Sequence, residues 1–150
     1  MGRMTELLKL AQARAKELQL PYAGALTPEE AWEVMQQSPG ARLVDVRTKA
    51  EWDWVGRVPG AVEIEWNTYP GSQPNPHFID QLKQALPSEG IVLFMCRSGV
   101  RSSAAAKAAN EAGYHSSYNV LEGFEGDKDG NNHRNSVNGW RAAGLPWVQG

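Results

Sequence analysis

The chain has 150 residues, 41% of them hydrophobic and 21% charged, the size and composition of one soluble globular domain with a real core. A formal net charge of −2 leaves no basic stripe to neutralise nucleic-acid phosphates, and the single cysteine excludes an internal disulfide. Charges at Arg3, Glu6, Lys9, Arg14, Lys16 and Glu17 interrupt any signal-peptide core, and no apolar run is long enough to span a bilayer. The expectation is a cytoplasmic protein with neither nucleic acid nor membrane as partner.

Residues 4–19 predict an amphipathic helix. Met4, Leu7, Leu8, Ala11, Ala15 and Leu18 recur at steps of three and four, and Pro21 ends the pattern. The simpler reading is that this helix folds back over an apolar patch, and the alternative is that it docks a partner. It divides the chain into a helical extension, 1–22, and a main domain, 23–150. Thr27-Pro28-Glu29-Glu30 opens the next helix with a hydroxyl cap, a proline and two acids, and Ser38-Pro39-Gly40 stops it. Arg42 to Arg47 reads as a strand whose polar residues gather at the carboxyl end, where open α/β sheets bind ligands. Asp45 there is expected to pair with an arginine.

Thr48 caps a short helix through Trp52, and Ala61 to Trp66 alternates as a strand with Glu63 and Glu65 on one solvated face. Residues 67–76 are dense in turn formers, so this long loop is either an idle connection or one wall of a pocket. A helix follows over 77–86 with Phe78, Ile79, Leu82 and Leu86 inward. Ser117 to Leu121 forms the last strand, and Ser136 caps a final helix through Ala143. The stretch from Asp127 lacks the glycine and glutamate of a calcium loop, with Asn132 and Asn138 at those positions. His77, His115 and His133 lack metal-ligand spacing, and no nucleotide-binding motif occurs, so neither metal nor cofactor is expected.

Ile91 to Cys96 runs apolar without a break, as a strand buried on both faces does, and Ser103 to Asn110 is a strong helix former. Between them lies Cys96-Arg97-Ser98-Gly99-Val100-Arg101-Ser102. A strand, a tight loop and a helix start bring backbone N–H groups and the positive end of the helix dipole to one point. The Cys96 sulfur stands where negative charge is favoured. A lone cysteine at a strand end is more often a small hydrophobe, but two guanidiniums beside it point to an anion site next to a thiolate. Cys96 is thus the candidate nucleophile. Arg97, Ser98, Gly99, Val100, Arg101 and Ser102 are the candidate anion binders, with Asp45 and Arg47 in support.

Cys-Arg-Ser-Gly-Val-Arg-Ser at 96–102 resembles the active-site loop of rhodanese-type sulfurtransferases. The resemblance extends upstream to Leu43-Val44-Asp45-Val46-Arg47, Glu51-Trp52 and Gly56-Arg57-Val58-Pro59-Gly60-Ala61. Downstream it takes in Gly113-Tyr114, the stretch Asn119 to Phe124 and the ending Gly139 to Pro146, so it covers roughly residues 24–147 in order. One departure is Arg57, where the family commonly has histidine. The resemblance implies a three-layer α/β/α domain with a five-stranded, mostly parallel sheet. It also implies transfer of a sulfane sulfur from an anionic donor such as thiosulfate, through a Cys96 persulfide, to cyanide, a thiol or a protein acceptor, without a cofactor.

Two rivals remain. A cysteine phosphatase or arsenate reductase with a Cys-x5-Arg loop needs arginine at 102, where Ser102 stands. A loop closed by Arg101 is one residue shorter and tight for a tetrahedral phosphate. The rival from another class is a sulfur-carrying interaction module that hands its persulfide to a protein partner.

Overall fold

The computed structural model describes residues 2–149. Five helices, α1 (Arg3–Leu18), α2 (Pro28–Gln37), α3 (Lys49–Trp54), α4 (Phe78–Ala85) and α5 (Val100–Glu111), alternate with the strands of one sheet. Those strands are β1 (Gly24–Leu26), β2 (Arg42–Asp45), β3 (Val62–Glu63), β6 (Val92–Met95) and β7 (Ser117–Val120); the short β4 (Asn67–Thr68) and β5 (Gln73–Pro74) pair apart from it. Two helix starts follow directly from the sequence. Thr27 and Thr48 each accept the backbone N–H three residues on, and Glu30 and Glu51 reach back to the cap N–H, completing two capping boxes.

The sheet runs β1-β7-β6-β2-β3, and every pairing in it is parallel. Alternate residues of its strands enter different cores. Leu43, Leu93, Met95, Tyr118 and Val120 pack with Leu7 and Ala11 of α1 and Ala31 and Val34 of α2. Val44, Val92 and Phe94 pack on the other face with Leu82 of α4 and Ala105, Ala106 and Ala109 of α5. A sheet covered on both faces needs continuous apolar strands, which is why Val92 to Met95 has no polar residue. The result is a three-layer α/β/α sandwich.

Helix α1 folds back on the domain. Leu7, Ala11 and Ala15 are buried. Arg14 binds both carboxylate oxygens of Glu30 at 2.6 and 3.0 Å and the carbonyl of Ala25 at 3.0 Å. No helix among the described residues is long and apolar enough to cross a membrane.

Three expectations are corrected. No α-helix forms over 136–143; residues 140–144 form turns. Gly139 has φ +108, and the N–H groups of Trp140 and Arg141 are taken by the carbonyls of Gly123 and Phe124, so a helical ladder cannot start there. Helix α5 begins at Val100 rather than 103, which places Arg101 and Ser102 in its first turn. The expected loop over 67–76 contains the β4–β5 hairpin. Glu63 and Glu65 are half-buried and bonded: Glu63 accepts from Arg57, and Glu65 accepts the Lys49 backbone N–H.

Candidate active site

The carboxyl ends of β2 and β6 lie side by side, joined by the Val46 N–H to Met95 carbonyl bond at 2.9 Å, so whatever follows each strand is brought to one edge. Cys96 follows β6 and is 1% exposed. Its Sγ accepts the Gly99 N–H at 3.1 Å. Gly99 caps α5 with φ +107, a conformation that turns the loop back over the sulfur and that other residues rarely adopt. The N–H groups of Val100, Arg101 and Ser102 belong to the first helical turn and have no partner within the helix. The Val100 side chain points outward, 76% exposed. Ser98 is half-buried in the loop.

Ser102 and Asn119 complete the cradle. Ser102 Oγ donates to Asn119 Oδ1 at 2.6 Å and has Cys96 Sγ as a longer acceptor at 3.4 Å. Asn119 Nδ2 donates to the Gly99 carbonyl at 3.2 Å, which orients the peptide plane next to the N–H aimed at sulfur. Asn119 is therefore a positioning residue that sequence reasoning missed. Its signal was a polar residue inside a short buried strand, where every polar group needs a partner. Asn119→Ala is expected to slow sulfur uptake from thiosulfate about tenfold, the scale of one hydrogen bond, and to lower Tm by a few degrees. Stopped-flow uptake at wild-type rate in a folded Asn119→Ala would remove it from this role.

The two loop arginines differ. Arg101 closes its guanidinium fork on Glu51, with bonds of 2.7 and 2.9 Å, so the fork is not open to a ligand as the sequence suggested. Glu51 Oε1 also accepts from the backbone N–H and hydroxyl of Thr48. Arg97 is exposed, and its guanidinium makes no hydrogen bond or ion pair among the described residues. Burial works against the charge of Glu51, but the Arg101 bonds, the Thr48 N–H and the charge of Arg47 outweigh it and hold the carboxyl below its ordinary 4.5. Burial likewise opposes the Arg101 charge, and Glu51, with a smaller contribution from Cys96, keeps its pKa raised.

A depressed acid stabilises the fold above its unfolded value and loses that contribution as pH falls through the folded one. The stability difference between wild type and Glu51→Gln is thus expected to be full at about pH 6 and clearly smaller at about pH 3, below the ordinary carboxylate range. Urea titrations at both values check this. A difference that persists in acid would mean the glutamate acts through packing.

Asp45 and Arg47 form a pair with no exposure at all: Nε and Nη2 meet the carboxylate at 2.7 to 3.2 Å, and Nη2 also reaches the Gly56 carbonyl at 2.7 Å. The arginine that Asp45 meets is thus two residues away, not in the cysteine loop. Arg47 Nη1 has no hydrogen-bond partner, and the guanidinium carbon sits 4.2 Å from the centre of the Phe124 ring. Behind the loop, the Phe124 and Glu125 N–H groups bind the carbonyls of Cys96 and Arg97 at 2.8 and 3.0 Å. A Cβ on Gly123 would stand 2.5 Å from the Arg97 carbonyl carbon, so only glycine allows this approach. Arg57, at the family's histidine position, is structural here: it bridges Asp53 and Glu63, and its backbone pairs with Val148.

Beside the loop lies a cleft of about 490 Å³. Glu51, Trp54 and Val55 from α3 and its end line one side, Asn67, Tyr69 and Ser72 of the hairpin another, and Arg97 and Arg101 a third. The turn-rich loop is thus a pocket wall. Trp54 and Tyr69 are 80% and 67% exposed, which leaves an aromatic rim around the entrance.

The five-stranded parallel sheet carries the cysteine loop at the head of α5. A rhodanese-like domain profile matches residues 27–129, and the chain belongs to the rhodanese-like family. It is similar to an uncharacterised protein of Rickettsia rickettsii, 34% identical over 79% of this chain and 91% of that one. It is also similar to the thiosulfate sulfurtransferase GlpE of Actinobacillus succinogenes, 30% identical over 81% of this chain and 86% of that one. Among solved structures, Rv0390 from M. tuberculosis superimposes with a TM-score of 0.80 at 47% identity, over 86% of this chain and 99% of that one.

Proposed function

We propose that this protein is a sulfurtransferase that carries a sulfane sulfur as a Cys96 persulfide from a thiosulfate-type donor to a thiol. The observation that carries the reading is the Cys96 sulfur held 3.1 Å from the Gly99 N–H at the head of α5, in a loop that reaches Arg101 after only four intervening residues. The similarity to a thiosulfate sulfurtransferase supports it. In the first half-reaction the Cys96 thiolate attacks the outer sulfur of thiosulfate; the new S–S bond forms as the old one breaks, and sulfite leaves with its electron pair. In the second, an acceptor thiolate attacks the outer persulfide sulfur and restores the Cys96 thiolate. The Gly99 N–H and the free N–H groups of the first α5 turn hold the negative charge. A free catalytic thiol belongs in a reducing compartment.

Arg97, with its N–H groups free, receives the donor's sulfonate. Arg101 adds charge while its fork holds α3 against the loop. Arg97→Ala is expected to raise KM for thiosulfate several-fold, more so at low salt, with little change in Tm. Arg101→Ala is expected to lower kcat and also to destabilise the fold by about 2 kcal/mol, the scale of charge-assisted hydrogen bonds. Steady-state kinetics at two salt concentrations, alongside urea melts, separate the two. Equal kinetic effects and equal stabilities would undo the division of roles.

Intact mass tests the function: thiosulfate should add one sulfur atom and cyanide remove it. Faster hydrolysis of a phosphate ester than of any sulfur transfer would turn the reading toward a phosphatase. A sulfur-relay role remains the second reading, with residues 1–22 as an extension of the 23–150 domain. Charge reversal at the exposed Lys9 and Lys16 of α1, which leaves the packed face intact, distinguishes the two: loss of transfer to a protein acceptor with thiosulfate turnover unchanged favours the relay.

A further inference from the structure

A separate cleft of about 560 Å³ runs along β3, and no residue of the cysteine loop lines it. Lys49 and Trp52 of α3 form one wall, Gln84 and Ala85 of α4 the other, and β3 the back. β3 is the last strand on this side of the sheet, so no strand pairs with its outer edge. The ladder to β2 decides which backbone groups that edge presents. The Ile64 and Trp66 N–H groups bond inward, to the carbonyls of Asp45 at 3.1 Å and Val46 at 3.0 Å. Backbone direction alternates along a strand, so the N–H groups of Glu63 and Glu65 and the Glu63 carbonyl turn outward. None of the three has a partner among the described residues, whereas the Glu65 carbonyl is taken by the Asn75 amide at 2.8 Å.

The side chains of this edge divide by face. Val62 and Ile64 pack toward Leu82 of α4. Glu63 and Glu65 point the other way, to Arg57 and to the Lys49 backbone N–H. The ammonium group of Lys49 is held by Asp53 at 3.0 Å. Burial pushes the Glu63 carboxyl above its ordinary 4.5, and the charge of Arg57 does not offset it. Two carboxylates thus stand on one face of an open edge, short of positive charge, and an apolar face lies opposite. Charges on an edge strand repel a neighbouring strand that is apolar or of the same sign, and they admit one of the opposite sign.

We propose that β3 docks a short extended segment of a partner protein, with basic and apolar residues in alternation, as a sixth strand of the sheet. The segment's backbone meets the Glu63 and Glu65 N–H groups and the Glu63 carbonyl. Its basic side chains lie over Glu63 and Glu65, and its apolar ones lie over Val62, Ile64 and Ala85. Main-chain bonds supply the attachment, and the two carboxylates select the partner by charge. This docking edge is independent of the sulfurtransferase reading.

The probe is an end-blocked hexapeptide of alternating lysine and valine, titrated at low salt while the backbone amides are followed by NMR. The Glu63 and Glu65 amides are expected to shift, and hydrogen exchange at Glu63 to slow as its N–H gains a partner. A peptide with three lysines followed by three valines has the same composition and charge, and it should bind about tenfold more weakly. Glu63→Gln combined with Glu65→Gln should also weaken the alternating peptide about tenfold. Glu17→Gln on α1, which packs on the strand at the opposite edge, should not. Equal affinity for the two peptides, or equal loss in Glu17→Gln, would reduce the effect to general charge attraction and overturn the proposal. No shift at the Glu63 and Glu65 amides overturns it as well. The comparison of peptides uses wild-type protein alone, so it decides the matter even if the double variant does not fold.

Discussion

Cys96→Ala is expected to take up no sulfur from thiosulfate, with turnover below about one per cent of wild type, the consequence of removing a covalent nucleophile. No other group can replace it, because Cys96 is the only cysteine in the chain. The fold should survive. The side chain is buried among Val44, Phe94 and Ala105, and alanine removes one atom there together with the acceptor of the Gly99 N–H; the cost is about 1–2 kcal/mol. The Ser102 hydroxyl keeps its bond to Asn119. Mass spectrometry after thiosulfate, with a urea melt on the same sample, checks both halves. Sulfur addition to a folded Cys96→Ala would remove Cys96 from the mechanism.

Asp45→Ala is expected to produce the largest loss of stability, about 3–5 kcal/mol, the range for removing one partner of a buried ion pair. Asp45 and Arg47 both have zero exposure, so the guanidinium left behind cannot find water. It already has one N–H without a partner, and the Phe124 ring offers it only a face. Asp45→Ala combined with Arg47→Met should recover a good part of the loss, because the uncompensated charge goes with the arginine. Denaturant midpoints of the two variants measure this. A shift below about 1 kcal/mol in Asp45→Ala would mean that water or another carboxylate reaches the site. The consequence for function is geometric: Val46, between the pair, binds the Met95 carbonyl just before Cys96.

Much of this protein is determined by the sequence through short-range physics. Thr27 and Thr48 set helix starts because a hydroxyl and a glutamate three residues apart satisfy two backbone donors within one turn. The apolar run before Cys96 demands a strand covered on both faces, and the helix former after it demands a loop whose N–H groups converge on sulfur. The likeness of residues 96–102 to a rhodanese loop, and so the family, was visible in the residues themselves. The missing helix at 136–143 shows the limit of such reasoning. Its cap and composition suit a helix, yet the Trp140 and Arg141 N–H groups are claimed by a segment near residue 123.

Only the tertiary structure decided the partners across the site. Glu51 and Arg101 are 50 residues apart and meet because β2 and β6 are neighbours in the sheet. Ser102 meets Asn119 because β7 is the next strand on the other side. Periodicity and capping report which residues turn inward within one element, since those preferences are set over three or four residues. Which side chain waits on the adjoining strand depends on strand order and register, and these are fixed by how both sheet faces pack at once. For that reason the candidate nucleophile could be read from the chain. The groups that hold its loop in place, and leave Arg97 free to meet a ligand, had to come from the fold.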